Sequence, residues 1–292
     1  MQNKRSLTSE TELVSGLKML AQAYEEISVI KMQRVRDYVL KNRDFLTGVS
    51  YVFYDVKTSY RQQIEELMKL KKITNIASFS TINKNGKMVS VLLSANNKLY
   101  GDIILKVFYL FMENIKKSDS DIVVVGKLGR ELYNQWNIKK PYKYFEIPDS
   151  DLKIEDLKEI ISYIINYEKV DVFYGRFANI VNQVSTFSNI SGEQTFDTEV
   201  KPNPNSKFIF EPSLEKILNF FETQIFASFF KQTVHEFHLA RLASRIKAME
   251  EALSNIDKRI NELKGQTRRV KRLSDNKKQI ETIAGISLWS QG

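Results

Sequence analysis

Residues 239–263, LARLASRIKAMEEALSNIDKRINEL, carry apolar side chains at Leu239, Leu242, Ile246, Met249, Leu253, Ile256, Ile260 and Leu263. The spacings alternate between three and four residues. A helix with an apolar residue every 3.5 positions buries that seam only by supercoiling against another helix, so the stretch predicts a left-handed coiled coil. The seam thins through Thr267 and Val270 as basic residues accumulate.

Working outward, the first question is the partner helix. All five prolines, Pro141, Pro148, Pro202, Pro204 and Pro212, lie in the central part of the chain, leaving both ends free to form long helices. Near the N-terminus Thr8 or Ser9 suits a helix cap, and Leu13, Leu17, Leu20, Tyr24 and Ile27 repeat the four-three alternation, prolonged less regularly by Ile30, Val35, Tyr38 and Phe45. These five residues are the expected opposite seam. Gly16 is a weak point, costing roughly 1 kcal/mol against alanine in a helix interior. A bend is expected near Gly48, with a helical pattern resuming from Asp55 to about Lys72. From Ser213 to Gly285 only Gly265 interrupts the helical pattern. At ~1.5 Å per residue such a helix is on the order of 100 Å long, so it is expected to project from any domain this chain can build.

The middle of the chain reads differently. Met88–Leu93, Ile122–Val125 and Val170–Tyr174 have the composition of buried strands, and 102–116 and 155–167 have helical length and spacing. Val184–Ile190 and Lys207–Phe210 read as later strands, and Lys201-Pro202-Asn203-Pro204-Asn205 as a linker. The expected fold class is therefore α/β: an antiparallel coiled coil of long N- and C-terminal helices with a Rossmann-like α/β domain inserted between them. The expected divisions are 1–73 for the N-terminal coiled-coil helix, 74–206 for the inserted domain and 207–292 for the C-terminal helix.

The chain has 292 residues, 42% hydrophobic content, no cysteine and a net charge of +9. This composition supports a packed core, and the absence of cysteine removes disulfides, zinc–thiolate sites and thiol catalysis. No signal-type segment and no run approaching ~20 apolar residues is present, so the expected location is cytoplasmic, where partners could still hold the chain at a membrane. Between Ile256 and Gln279 nine basic side chains face only three acidic ones. Such an excess suits a solvated face or an acidic partner, and no nucleic-acid reader motif accompanies it. Gly126-Lys127-Leu128-Gly129-Arg130 matches neither GxxxxGK[ST] nor GxGxxG, so it reads as a plain strand-to-helix turn. His235 and His238 are the only histidines, one helical turn apart beside the seam, and read as core residues rather than metal ligands. No catalytic residue, cofactor, metal or small-molecule substrate is expected on this chain.

The residues resemble the gamma subunit of F-type ATP synthases and ATPases over nearly the whole length. Phe208-Ile209-Phe210-Glu211-Pro212 is similar to the family's Tyr-Leu-Tyr-Glu-Pro segment. Ala243-Ser244-Arg245-Ile246-Lys247-Ala248-Met249 resembles its Ala-Ala-Arg-Met-x-Ala-Met signature, and Asn255 falls on the asparagine of Ala-Thr-Asp-Asn. Ser94-Ala95-Asn96-Asn97-Lys98-Leu99-Tyr100-Gly101 stands in place of Ser-x-Asp-Arg-Gly-Leu-Cys-Gly, keeping the serine, leucine and last glycine. Lys31-Met32 and Arg43-Asp44-Phe45 resemble the family's Lys-Met and Arg-Pro-Tyr. The first helix lacks the Asn-Thr-x-Lys-Ile-Thr stretch, and Lys271-Arg272 replaces an Arg-Gln pair.

The resemblance implies a central rotor shaft, itself non-catalytic, threaded through a hexameric ring of alpha- and beta-type subunits. The foot then meets an epsilon-type subunit and a membrane ring, or another driven machine. Arg268, Arg269, Lys271, Arg272 and Trp289 are the residues it places against the catalytic ring. The Lys/Asn/Ile-rich, cysteine-free composition is similar to that of wall-less bacteria with F-like ATPases tied to gliding or other surface machinery, and a specialised rotor of that kind is a further expectation. A homodimeric coiled-coil scaffold and a basic helical nucleic-acid binder remain the alternatives.

Overall fold

The structure, a computed structural model, describes residues 4–59, 84–149, 152–191 and 214–289. The elements in order are α1 (Lys4–Ser59), β1 (Met88–Leu93), α2 (Ile103–Ile115), β2 (Asp121–Val125), α3 (Lys127–Gln135), β3 (Tyr142–Phe145), α4 (Ile154–Ile164), β4 (Lys169–Phe177), β5 (Gln183–Asn189) and α5 (Leu214–Trp289). Long terminal helices thus flank a mixed α/β centre. The helix α1 runs through Gly48 to Ser59 as one element. The part of the expected continuation at 60–72 and the expected strand Lys207–Phe210 lie outside the described residues.

The chain forms two compact units, 1–29 with 245–292, and 30–244. The boundaries of these units fall inside both long helices. The reason lies in side chains: Phe226, Phe230, Val234 and Phe237 of α5 belong to the same buried cluster as the sheet. Residues 214–244 therefore pack as part of the α/β domain.

The sheet of that larger unit has the order β3-β2-β1-β4-β5. The four strands β1 to β4 are parallel, and β5 returns antiparallel to β4. Central strands buried on both faces read as continuous apolar runs, which is why DIVVV and MVSVLL were legible. The edge strand β3, YKYF, has no such run and was not expected. Crossovers carry β1 through α2 to β2 and β2 through α3 to β3, then reverse direction across the sheet from β3 through α4 to β4. The carboxyl ends of β1 and β4 therefore form the topological switch point, where α/β sheets of this kind usually receive a ligand.

In the smaller unit, antiparallel segments of α1 and α5 pair. Arg259 donates to Glu10 at 2.6 Å, Lys18 to Asp257 at 2.7 Å, and the Arg245 guanidinium lies over the Tyr24 ring at 5.8 Å. These cross-links run in opposite chain directions, as an antiparallel pair requires. On this part of α5 Ile246, Met249 and Leu263 are buried and Leu253, Ile256 and Ile260 are partly buried, while Leu239 and Leu242, also buried, belong to the larger unit.

The expected seam of α1 needs correction. Leu13, Leu17, Leu20, Tyr24 and Ile27 are all exposed, Leu13 at 64% and Leu20 at 58%. The inward side chains are one residue further on: Leu7, Thr11, Val14, Lys18, Ala21, Glu25 and Ser28, of which Leu7, Ala21 and Ser28 are fully covered. One residue is ~100° of helix rotation, enough to turn one stripe outward. Small side chains such as Ala21 and Ser28 allow close helix approach, and Ser28 satisfies its hydroxyl by donating to the Tyr24 carbonyl at 2.6 Å.

Candidate functional site

Two regions are organised for interaction: the far part of α5, and the contact of α5 with the carboxyl edge of the sheet. In the smaller unit, the last covered seam residues are Leu263, Thr267 and Val270. Every described side chain from Lys271 to Ile283 is exposed. Arg268, Arg269, Lys271 and Arg272 all point to solvent, and Arg268 Nε donates to the Lys264 carbonyl at 3.3 Å. On the same stretch Leu273, Ile280 and Ile283 are exposed at 59–67%. A single helix bearing both basic and large apolar side chains is built to meet another surface. Trp289 closes α5, its side chain outside the described residues.

In the larger unit the sequence analysis missed the main constellation. Arg241 of α5 donates through Nη1 to Asp149 Oδ1 at 2.7 Å, and the two side chains are only 5% and 6% exposed. The carboxylate is held from below by the loop after β1. The Asn96 backbone N–H donates to both Asp149 oxygens at 3.0 and 3.1 Å, and Asn97 donates to Oδ2 through its backbone N–H and its Nδ2, each at 2.8 Å. Asn96 Nδ2 donates to the Ile147 carbonyl at 2.8 Å, while Asn96 Oδ1 accepts from the Lys127 N–H at 3.0 Å. Arg241 also reaches the Ser94 carbonyl at 3.4 Å and lies over the rings of Tyr100 and Phe237, 5.2 and 5.0 Å from their centroids. Burial pushes the Asp149 carboxyl up, but Arg241 and the N–H groups of Asn96 and Asn97 outweigh it, leaving the carboxyl below its ordinary value.

This cluster fills the switch point. Ser94 follows β1, and the nearby Gly175 lies near the end of β4, where an added Cβ would come 2.7 Å from Ile103 and 3.3 Å from Phe237. Here α5 reaches the carboxyl edge of the sheet, with Arg241 bonded to the Ser94 carbonyl and Phe237 beside Gly175. The adjacent α3 N-terminus is closed too, because the N–H groups of Lys127 and Leu128 are bonded to Asn96 and Ala95. Gly126, at φ +93°, brings its backbone so close to Ala95 that a Cβ would lie 3.0 Å from it, which explains the glycine without a phosphate.

His235 and His238 lie buried in the larger unit. His235 packs on Tyr38 with ring centroids 4.3 Å apart. Burial, followed by Lys231, lowers the His235 pKa to about 4, and burial, followed by Arg241 and His235, lowers His238 to about 3. Among the described residues no group of three or more histidine, aspartate or glutamate side chains is placed to hold a metal. Among the same residues no helix is long and apolar enough to cross a membrane.

The sequence profile of a family described as ATP synthase matches residues 3–286. The ATP synthase gamma chain of Mesoplasma florum is 23% identical over 98% of this chain and 99% of its own, and that of Desulforamulus reducens is 21% identical over the same shares. Among solved structures, a chain of the central stalk and c-ring of Tetrahymena thermophila mitochondrial ATP synthase aligns with a TM-score of 0.54 at 16% identity, covering 80% of this chain and 99% of that one. A chain of the Euglena gracilis mitochondrial ATP synthase, in its third rotational state, aligns with a TM-score of 0.51 at 13% identity, covering 88% and 93%. The match over nearly the whole chain places this protein in the ATP synthase family as a gamma chain, the non-catalytic rotor subunit of the complex.

Proposed function

We propose that this chain turns within a hexameric ring of alpha- and beta-type subunits, with the basic and apolar stretch 264–283 of α5 as its contact with that ring. The observation that carries this reading is the exposure of every described side chain from Lys271 to Ile283, with Leu273, Ile280 and Ile283 among them. Arg268, Arg269, Lys271 and Arg272 would form shifting pairs with acidic loops on the ring. Exposed pairs are worth at most ~1 kcal/mol each, which allows sliding without locking. The outward stripe Leu13, Leu17, Leu20, Tyr24 and Ile27 would lie against the same ring, its apolar area removed from water only in the complex. ATP is turned over on the ring, and rotor angle and nucleotide state bias each other reciprocally.

In this reading the α/β domain meets an epsilon-type subunit and a membrane ring. That would hold the chain at the cytoplasmic face of the membrane through its complex. Neither the structure nor the named relatives supports the further specialisation to gliding or surface machinery, and neither favours a homodimeric scaffold or a nucleic-acid binder. Native mass spectrometry of the complex purified through a tag on this chain tests the proposal. One copy with three of each ring subunit is the expected result, and a bare homodimer would overturn it.

A further inference from the structure

A rotor must pass torque between its helices and its foot, and the way α5 is attached to the sheet decides how. Most of that attachment is apolar: Phe226, Phe230, Val234 and Phe237 enter the core on one face of the helix. Apolar contact is non-directional and resists separation better than it resists slippage or rotation of a helix about its axis. One turn beyond Phe237 the character changes. Arg241 forms a buried, directional bond to Asp149.

Asp149 is itself immobilised by three donors from Asn96 and Asn97 in the loop after β1, and it belongs to the segment after β3. Asn96 ties that loop to the N-terminus of α3, after β2, through the Lys127 N–H. The Gly126 N–H donates to the Phe145 carbonyl at 3.0 Å, closing the circuit to the end of β3. Thus one guanidinium engages a network joining the carboxyl ends of three parallel strands.

We propose that the Arg241–Asp149 pair is the torque-bearing anchor that fixes the angle of α5 on the sheet, with Arg241, Asp149, Asn96 and Asn97 acting as positioning residues for rotary coupling. A buried ion pair adds little to net stability but imposes register, because an unpaired partner in any other rotational setting is costly. The proposal rests on the rotor reading and assigns the site at which that rotor holds its load.

The test uses the assembled complex. The chain has no cysteine, so a single Lys143→Cys substitution on the exposed part of β3 takes a bead on the α/β domain. ATP-driven rotation is then measured against viscous load. Arg241→Met combined with Asp149→Asn removes both charges together and leaves none buried alone. The expected result is unloaded ATP turnover within twofold of the parent and a torque at the bead reduced at least twofold, with Arg241→Lys retaining most of it. Should the double variant fail to assemble, Arg241→Gln combined with Asp149→Asn, which also leaves no charge buried, is read in the same way. Undiminished torque in a variant that lacks the pair would overturn the anchor. A parent complex whose bead never rotates under ATP would instead overturn the rotor reading, and the anchor with it.

Discussion

Arg241 and Asp149 show how a charge is kept inside a protein: each has its partner, and the carboxylate has three more donors on the backbone and side chains of Asn96 and Asn97. Removing only one partner strands the other. Arg241→Met alone should therefore destabilise the chain by about 3–5 kcal/mol, and adding Asp149→Asn should recover part of that loss. Urea unfolding of the four species in a double-mutant cycle measures the coupling. The pH dependence has two parts. His235 and His238 are held neutral, with pKa values of about 4 and about 3 against an ordinary 6.5, so the unfolded chain binds protons first as the solution is acidified. Stability is full above pH 6.5 and falls progressively towards pH 4, and His235→Phe should flatten the slope of the unfolding midpoint over that range. The Asp149 carboxyl sits below its ordinary value, so its contribution is intact above the usual carboxylate range and is lost only as the pH falls through the lowered pKa.

At the scale of elements, α1 and α5 obey the heptad rule differently. On α5 the large apolar residues form the seam. On α1 they do not, because two stripes lie side by side: the larger Leu13, Leu17, Leu20, Tyr24 and Ile27, and one position on, Leu7, Thr11, Val14, Lys18, Ala21, Glu25 and Ser28. Reading by size selected the outer stripe. The inner one carried its own signal, since its four-three spacing continues unbroken through Met32, Val35, Val39, Asn42 and Leu46, all covered or partly covered. In the isolated chain Leu263→Ala should cost about 2–5 kcal/mol, whereas Leu13→Ala should cost well under 1 kcal/mol, both read from denaturant midpoints. Gly16 has nothing within 4 Å of where a Cβ would stand, so Gly16→Ala should stabilise by about 1 kcal/mol. A loss on that substitution would mean that Gly16 is held in a non-helical or crowded setting.

For the whole molecule the decisive prediction concerns the ring. Replacing Arg268, Arg269, Lys271 and Arg272 by glutamine should leave the isolated chain as stable as the parent, because all four are exposed. In the assembled complex, ATP turnover should lose much of its dependence on ionic strength, since screening acts on charges that are no longer there. An unchanged salt profile would remove these residues from the contact. The sequence by itself determined the paired terminal helices, the seam of α5 and the central strands β1, β2 and β4, because long heptad periodicity and unbroken apolar runs are local signals that few tertiary contacts can override. Only the tertiary structure decided which stripe of α1 faces inward, since two stripes one residue apart differ by a rotation that a partner must choose. It alone brought Arg241 to Asp149, 92 residues away, and both to Asn96. Pairing across such separations leaves no periodic trace, because burial in a three-dimensional network, not spacing along the chain, makes those three residues one site.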